Sequence, residues 1–266
     1  MKLTDTQYEV ERGLAWITID RPDRMNAFRA RTVDELIQLF TRAWASPDVG
    51  VICLTGIGDR AFCAGGDQKQ RAETGDYGPS ESGLFEIERL HRLIREVPKP
   101  VIAAVNGVAI GGGHVLHVLC DVTIAADSAS FGQVGPRVGS FDGGFGTAYL
   151  ARVVGEKRAR EIWFRCRRYD ALTAERWGLV NQVVPLERLR EEVRVWADDM
   201  LVLSPTALRF LKQSFNADTE HIAGIASMSF SGLSLFAETD EAREGVQAFS
   251  ESRPPEFGGY RARASR

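Results

Sequence analysis

The order of apolar and polar positions predicts an α/β chain that becomes wholly helical toward its C-terminus. "YEVERGLAWITIDRP" (8–22) contains two β-rich runs joined at Arg12–Gly13, a hairpin signal. "TVDELIQLFTRAWAS" (32–46) repeats apolar residues at helical spacing, with Thr32 placed to cap the helix start. "VGVICLTGIG" (49–58) is a continuous apolar run bounded by glycines, as a buried strand requires. A polar, glycine-bearing stretch follows (65–83), then a helix through "LFEIERLHRLIREV" (84–97) that "PKP" ends. "VIAAVNG" (101–107) reads as a buried strand, "GGGHVLHVLC" (111–120) as a turn and helix, and "DVTIAA" (121–126) as another strand. Strands alternate with helical segments to about residue 185, which defines an α/β core. From "LERLREEVRVWADDML" (186–201) onward the pattern is helical, ending in a Pro/Gly-rich tail, with no internal repeat.

Length and charge narrow the picture. With 266 residues, 44% of them apolar, the chain can bury a sizeable core. A net charge of −3 and a pI near 5.9 provide no broad basic field for nucleic acid. The cluster "RCRR" (165–168) reads as a solvated face or an anion contact. Cys53, Cys63, Cys120 and Cys166 are widely spaced without a CxxC, which argues against a zinc site or disulfide scaffold and suits a cytoplasmic protein. The N-terminus lacks the apolar run of a signal peptide. Residues 101–120 are long enough to span a bilayer, but Asn106, His114, His117 and three consecutive glycines favour a strand, turn and core helix.

Candidate chemistry concentrates in three glycine-rich segments. "FCAGGDQKQR" (62–71) and "AIGGGHV" (109–115) each follow a strand, so a bare backbone N–H can approach a ligand there. An N–H at a helix start suits an anion, and two from separate loops could form an oxyanion hole. Neither segment has dinucleotide G-x-G-x-x-G spacing, and the chain carries no P-loop or G-x-S-x-G elbow. His114 and His117 lie in an apolar helix and read as core residues. In the third segment, "GQVGPRVGSFDGGFG" (132–146), six glycines surround a single acid, Asp142, two residues after Ser140. Both side chains share one side if the segment is extended; alternatively, Asp142 caps a helix at "DGGFG".

In order and spacing, "RPDRMNAF", "DRAFCAGGDQ", "KPVIAAVNGVAIGGGHVL", "CDVTIAAD" and "FGQVGPRVGSFDGGFG" resemble the crotonase (enoyl-CoA hydratase/isomerase) superfamily, over about residues 8 to 257. The resemblance implies a ββα spiral core (1–190) binding acyl-CoA and a helical C-terminal cap and oligomerisation region (191–266). It also implies homotrimers that often pair into hexamers. The implied chemistry is a thioester enolate held by the N–H groups of Gly66 and Gly112, with CoA part of the substrate and no tightly bound organic cofactor or metal. The loop Cys63–Ala64–Gly65–Gly66 would meet CoA, Asp67 and Gln68 would shape its turn, and Arg24, Arg29, Lys69 and Arg71 would neutralise phosphates.

A hydratase of this superfamily places two glutamates where this chain has Val115 and Gly135, and neither can move a proton. "GGDQKQR", "GGGHVLH" and "GSFDGG" instead resemble 1,4-dihydroxy-2-naphthoyl-CoA synthases, which close a ring by a Dieckmann-type condensation. "LAWITIDRPDRMNAF", "SPTAL", "SFNADTEHIAGIA" and "TDEAREGV" are similar to 2-ketocyclohexanecarboxyl-CoA hydrolases, which open one with water. Either resemblance assigns Ser140 and Asp142 to a ring carbonyl and its proton. Some synthases with glycine at the position of Gly135 bind bicarbonate as the base; Gln133 and Trp163 match the positions that hold it. The glycines of 132–146 would then make room for substrate. Both relatives have a tyrosine where this chain has Ala237, so Tyr77 is a candidate replacement hydroxyl. A catalytically silent CoA-binding scaffold is the alternative of another class.

Overall fold

The computed structural model describes residues 2–265. A hairpin opens the fold: β1 (Thr6–Glu11) pairs antiparallel with β2 (Leu14–Ile19) across Arg12–Gly13, where both residues have positive φ. Helix α1 (Ala30–Ala45) follows and buries Val33, Leu36, Ile37, Leu39, Phe40 and Ala43 along one stripe. Thr32 is not its cap. It sits one turn inside, where its hydroxyl accepts the Arg29 N–H at 3.1 Å.

The chain then repeats one unit: a strand in a first sheet, a strand in a second sheet, then helix. β3 (Val51–Gly56) and β4 (Ala61–Cys63) lead to α2 (Gln68–Thr74) and α3 (Ile87–Glu96). β5 (Val101–Val105) and β6 (Val108–Ile110) lead to α4 (Gly112–Leu119). β7 (Val122–Ala126) and β8 (Ser130–Gly132) lead through the 132–146 segment and a π-helical turn, Phe145–Tyr149, to α5 (Leu150–Val154) and α6 (Glu156–Arg165). β9 (Tyr169–Asp170), α7 (Ala171–Arg176) and β10 (Gln182–Val184) complete the sheets. Their orders are β1-β2-β3-β5-β7-β10 and β4-β6-β8-β9. The run β3, β5, β7 is parallel, as is β4, β6, β8, which makes the architecture the ββα spiral anticipated above. β5 is buried at every position, so its pattern is continuous rather than alternating.

The C-terminal region consists of α8 (Leu189–Leu201), α9 (Pro205–Ala217), α10 (His221–Ala237) and α11 (Asp240–Ser250). A division at residue 190 falls inside α8, whose Leu189, Val193 and Ala197 pack with Leu14, Trp16, Val51 and Ile102. Lys212 pins α9 to the core, donating to the Ile94 and Lys99 carbonyls (3.2 and 3.0 Å) and to Asp121 (2.7 Å). Among the described residues, no helix is long and apolar enough to cross a membrane.

A buried polar chain ties the N-terminus to the first glycine loop. Asp5 accepts Arg29 Nε and Nη2 at 2.7 and 2.8 Å and the Thr32 hydroxyl at 2.7 Å. Arg21 lies 3.5 Å from Asp5 and 2.9 Å from Asp67, whose other oxygen caps α2 through the Gln70 N–H. Burial pushes the Asp5 carboxyl up, but hydrogen bonds from Arg29 and Thr32 and the charges of Arg29 and Arg21 prevail and hold it at about 2. Because this folded value lies below the ordinary 3.8, the stabilisation is complete above about pH 4 and is lost as pH falls through about 2. Asp5→Asn is expected to cost about 2 kcal/mol at neutral pH. In thermal melts, the gap between wild type and variant should close between about pH 4 and 2; a gap independent of pH would refute the ion-pair account.

Candidate active site

The two glycine loops meet. Parallel pairing of β4 with β6 (Ala61↔Val108, Cys63↔Ala109) brings the end of β4 beside the start of α4. The approach is too close for any side chain: a Cβ on Gly113 would lie 1.9 Å from the Cys63 carbonyl oxygen, and one on Gly65 would lie 3.1 Å from Gly112 N. Gly112 is the first residue of α4, so its N–H has no acceptor within the helix and lies at the positive end of the helix dipole. Gly66 bridges Phe28, but its neighbours carry those bonds: Phe28 N–H donates to Gly65 O and Asp67 N–H to Phe28 O, both at 2.8 Å. The Gly66 N–H is not used there. Both amides line one large cavity of about 890 Å³.

That cavity also gathers Ser140, Asp142, Gln133, Gly135 and Trp163 from the 132–146 segment and α6. Arg24, Ala64, Asp67, Gln68 and Lys69 line it on the side of the first glycine loop, with Arg24 and Lys69 exposed. Three residues expected at the CoA end are not on its wall. Arg29 is occupied by Asp5. Cys63 is fully buried beneath the loop, where burial raises its thiol to about 12. Arg71 reaches Gly139 O at 3.5 Å and tethers α2 to the 132–146 segment. Arg137, Arg167 and Arg168 line the cavity instead, so "RCRR" faces the site in part.

Asp142 does cap a helix: one carboxylate oxygen accepts the Gly144 and Gly146 N–H groups at 3.1 and 2.8 Å, opening the π-helical turn. This fixes the carboxyl group within the cavity wall, so capping and exposure to substrate coexist. The neighbouring glycines serve a purpose different from the one expected. A Cβ on Gly139 would lie 2.1 Å from Ala242 O in α11, and one on Gly144 would lie 2.4 Å from Ala226 Cα in α10. Gly139, Gly143 and Gly144 make room for the protein's own C-terminal helices. Ser229 of α10 completes the docking by accepting the Gly143 N–H at 2.7 Å.

Gly135 likewise vacates no space. A Cβ there would lie 2.7 Å from Ser140 O and 3.0 Å from the Trp163 ring. Of the donors assigned to bicarbonate, Trp163 Nε1 donates to Gly146 O at 2.5 Å, and Gln133 Nε2 is 3.4 Å from His114 Nδ1 with a second N–H left over. Val115, at the other hydratase glutamate position, is buried at the cavity wall. Ala237 ends α10 and is not among the lining residues, although Phe236 beside it packs on Phe141 with ring centroids 5.7 Å apart. Tyr77 does line the cavity. Its ring covers Gly66 and stacks on Phe85 at 4.6 Å, and its hydroxyl is 3.4 Å from Gln68 Nε2.

His114 and His117 are core residues, as expected. Burial lowers the pKa of both, His114 to about 3, and each has one ring nitrogen engaged, with Gln133 and Thr123 respectively. The residue that the sequence analysis missed is His91 of α3, which lines the cavity. In "RLHRLI" it occupies an interior helix position between Leu90 and Ile94. No local signal separates it from a packing residue.

A two-sheet ββα spiral with two glycine-loop amides converging on one cavity defines a crotonase-type protein. The enoyl-CoA hydratase/isomerase family model matches residues 9–260, and the chain belongs to that family. An enoyl-CoA hydratase from Mycobacterium avium subsp. paratuberculosis is 28% identical, with 96% of this chain and 99% of that one covered and a TM-score of 0.85. A carnitinyl-CoA hydratase from Mycobacterium avium is 29% identical over 97% and 100%, also at 0.85. An enoyl-CoA hydratase from Bacillus anthracis is 31% identical over 96% and 100%, at 0.73. The protein is therefore an acyl-CoA enzyme of the crotonase superfamily.

Gly135→Ala is expected to cost about 1–3 kcal/mol through overpacking against Ser140, measured as a lowered unfolding midpoint. Calorimetric titration with bicarbonate should give no saturable heat. A saturable heat would restore a base site at Gln133, Gly135 and Trp163.

Proposed function

We propose that this enzyme makes or breaks a C–C bond of a ring-bearing acyl-CoA through a thioester enolate, in the manner of 1,4-dihydroxy-2-naphthoyl-CoA synthases. The observation that carries this reading is the composition of the cavity wall. Ser140 and Asp142 lie in the same cavity as the amides of Gly66 and Gly112, whereas the positions for a hydratase's two glutamates hold Val115 and Gly135. The Gly66 and Gly112 N–H groups would receive the charge that develops on the thioester oxygen; one such donor is worth roughly 10²–10³ in rate. Asp142 would move the proton at the ring carbonyl or its enol, held in place by the Gly144 and Gly146 amides. Ser140 would hydrogen-bond the same oxygen. Arg24 and Lys69 would meet the CoA phosphates.

Ring-opening hydrolysis of a β-keto thioester, the 2-ketocyclohexanecarboxyl-CoA reaction, is the second reading. The likeness of "LAWITIDRPDRMNAF", "SPTAL", "SFNADTEHIAGIA" and "TDEAREGV" to those hydrolases supports it. The hydratase names of the related structures make simple hydration the reaction to test against both.

Purified protein should be assayed with o-succinylbenzoyl-CoA, 2-ketocyclohexanecarboxyl-CoA and crotonyl-CoA. Turnover of a ring substrate is expected, with crotonyl-CoA hydrated at least about 100-fold more slowly; hydration of crotonyl-CoA alone would overturn the proposal. Asp142→Asn should lower turnover by about 10²-fold or more while CoA binding persists. A wild type that binds CoA but turns over none of the three would instead identify a scaffold.

We also propose that the chain assembles as a homotrimer or hexamer. The exposed Phe210 and Phe215 on α9 and Met228 and Leu235 on α10 support this, because assembly would take these large apolar side chains out of water. Light scattering should give a mass three or six times 29.4 kDa; a monomer would refute it.

A further inference from the structure

His91 is 98% buried, by its 2% exposure, yet neither ring nitrogen has a hydrogen-bond partner among the described residues. An imidazole held this way loses its hydration without compensation, a cost that native folds rarely carry without reason. His114 and His117 are also buried, but each has one nitrogen engaged and neither lines the cavity. His91 does line it, on the same wall system as Asp142. Phe145 and Phe230 flank the ring, with centroids 6.1 and 6.0 Å away, and restrict its orientation.

Two charged groups act on the imidazole. Glu88 lies on its own helix and is held by Arg92 Nη2 at 2.7 Å and by the Ser227 hydroxyl. Asp142 comes from the opposing 132–146 segment. Arg95 lies beyond the Phe145 ring, 5.6 Å from its centroid, and bonds the Thr219 hydroxyl. Burial lowers the pKa of His91 below the ordinary 6.5, and the Asp142 and Glu88 carboxylates partly offset the shift. The ring is neutral at pH 7, with a carboxylate nearby to stabilise it once protonated. A general base needs this combination.

We propose that His91 is the general base and acid of the acyl end of the cavity, working with Asp142 to add water to the ketone of a β-keto acyl-CoA. This rests on the C–C bond reading above and assigns it the hydrolytic direction. One ring nitrogen of His91 takes a proton from water as the water oxygen bonds to the ketone carbon and the carbonyl electron pair moves to its oxygen. The resulting alkoxide collapses and the C–C bond breaks. Its electrons enter the thioester as an enolate on the Gly66 and Gly112 amides. The imidazolium, stabilised by Asp142, returns the proton to the α-carbon. One water is consumed, the products are a carboxylic acid and a shortened or ring-opened thioester, and both residues are regenerated.

The test uses the full chain with 2-ketocyclohexanecarboxyl-CoA. His91→Gln should lower kcat by about 10²–10⁴-fold, the usual worth of a positioned general base, with KM within about threefold. Added imidazole should partly restore His91→Ala, a rescue that loss of packing alone would not give. The wild-type kcat/KM should fall on an acid limb with a midpoint below 6.5, and a limb centred at or above 6.5 would overturn the proposal even if no variant at 91 folds. Turnover by His91→Gln within about threefold of wild type would overturn it as well and leave the C–C bond reading standing. A wild type that condenses o-succinylbenzoyl-CoA without cleaving 2-ketocyclohexanecarboxyl-CoA would overturn the hydrolytic role alone, and one that turns over neither would remove both.

Discussion

The molecule depends on one backbone-to-backbone contact, the seating of Gly113 against the Cys63 carbonyl. No residue with a Cβ can occupy position 113 without parting β4 from α4, since that carbon would lie 1.9 Å from an oxygen fixed in a strand. With the contact made, Gly65 rests on Gly111 and Gly112, and the Gly66 and Gly112 amides line one cavity. The alternation of strands between two sheets creates this contact. β4 and β6 are parallel neighbours in the second sheet, so their C-terminal ends, where the loops begin, lie side by side. The convergence of the two loops on one cavity is thus a consequence of sheet topology and glycine placement.

A contact so tight needs a rigid surround. The Asp5–Arg21–Asp67 chain supplies it on one side by linking the N-terminal strand to the cap of α2. These charges are nearly out of water, where an unpaired partner would be costly, so the chain fixes one geometry. On the other side, α10 and α11 press onto the 132–146 segment through Gly144, Gly139 and Ser229. The C-terminal helices therefore shape the site, and the boundary read near residue 190 is one of sequence pattern only.

The long buried strands were legible because no polar position interrupts β5 and β3 has one, Thr55, only near its end. The short ones were not: β4, β6 and β8 have three residues each, too few for any periodicity, and with them the second sheet was invisible to pattern alone. Gly66, Gly112, Ser140 and Asp142 could be named because motif order carries them. The pairing of Arg29 was hidden because its partner, Asp5, lies 24 residues upstream, and a local reading sees only an available cation. The glycines of 132–146 were read as space for substrate because the helices that fill that space come about 80–110 residues later. His91 escaped notice for the same reason, since only the tertiary approach of the Asp142 segment gives its burial a chemical meaning.

In Asp142 a structural role and the proposed chemical one reside in one carboxylate. An exposed aspartate on a glycine-rich loop would sample many rotamers, and ordering it at the moment of reaction would add to the barrier. Two amide donors on a single oxygen remove that freedom in advance, and the helix they open is the same one that places Phe145 against His91. The cap therefore orients the carboxylate and encloses the imidazole in one step. In the proposed reaction a neutral base suits this position, because a permanent cation beside the thioester oxygen would compete with the Gly66 and Gly112 amides for the charge that develops there. Burial keeps His91 neutral, and Asp142 lets it become charged only transiently.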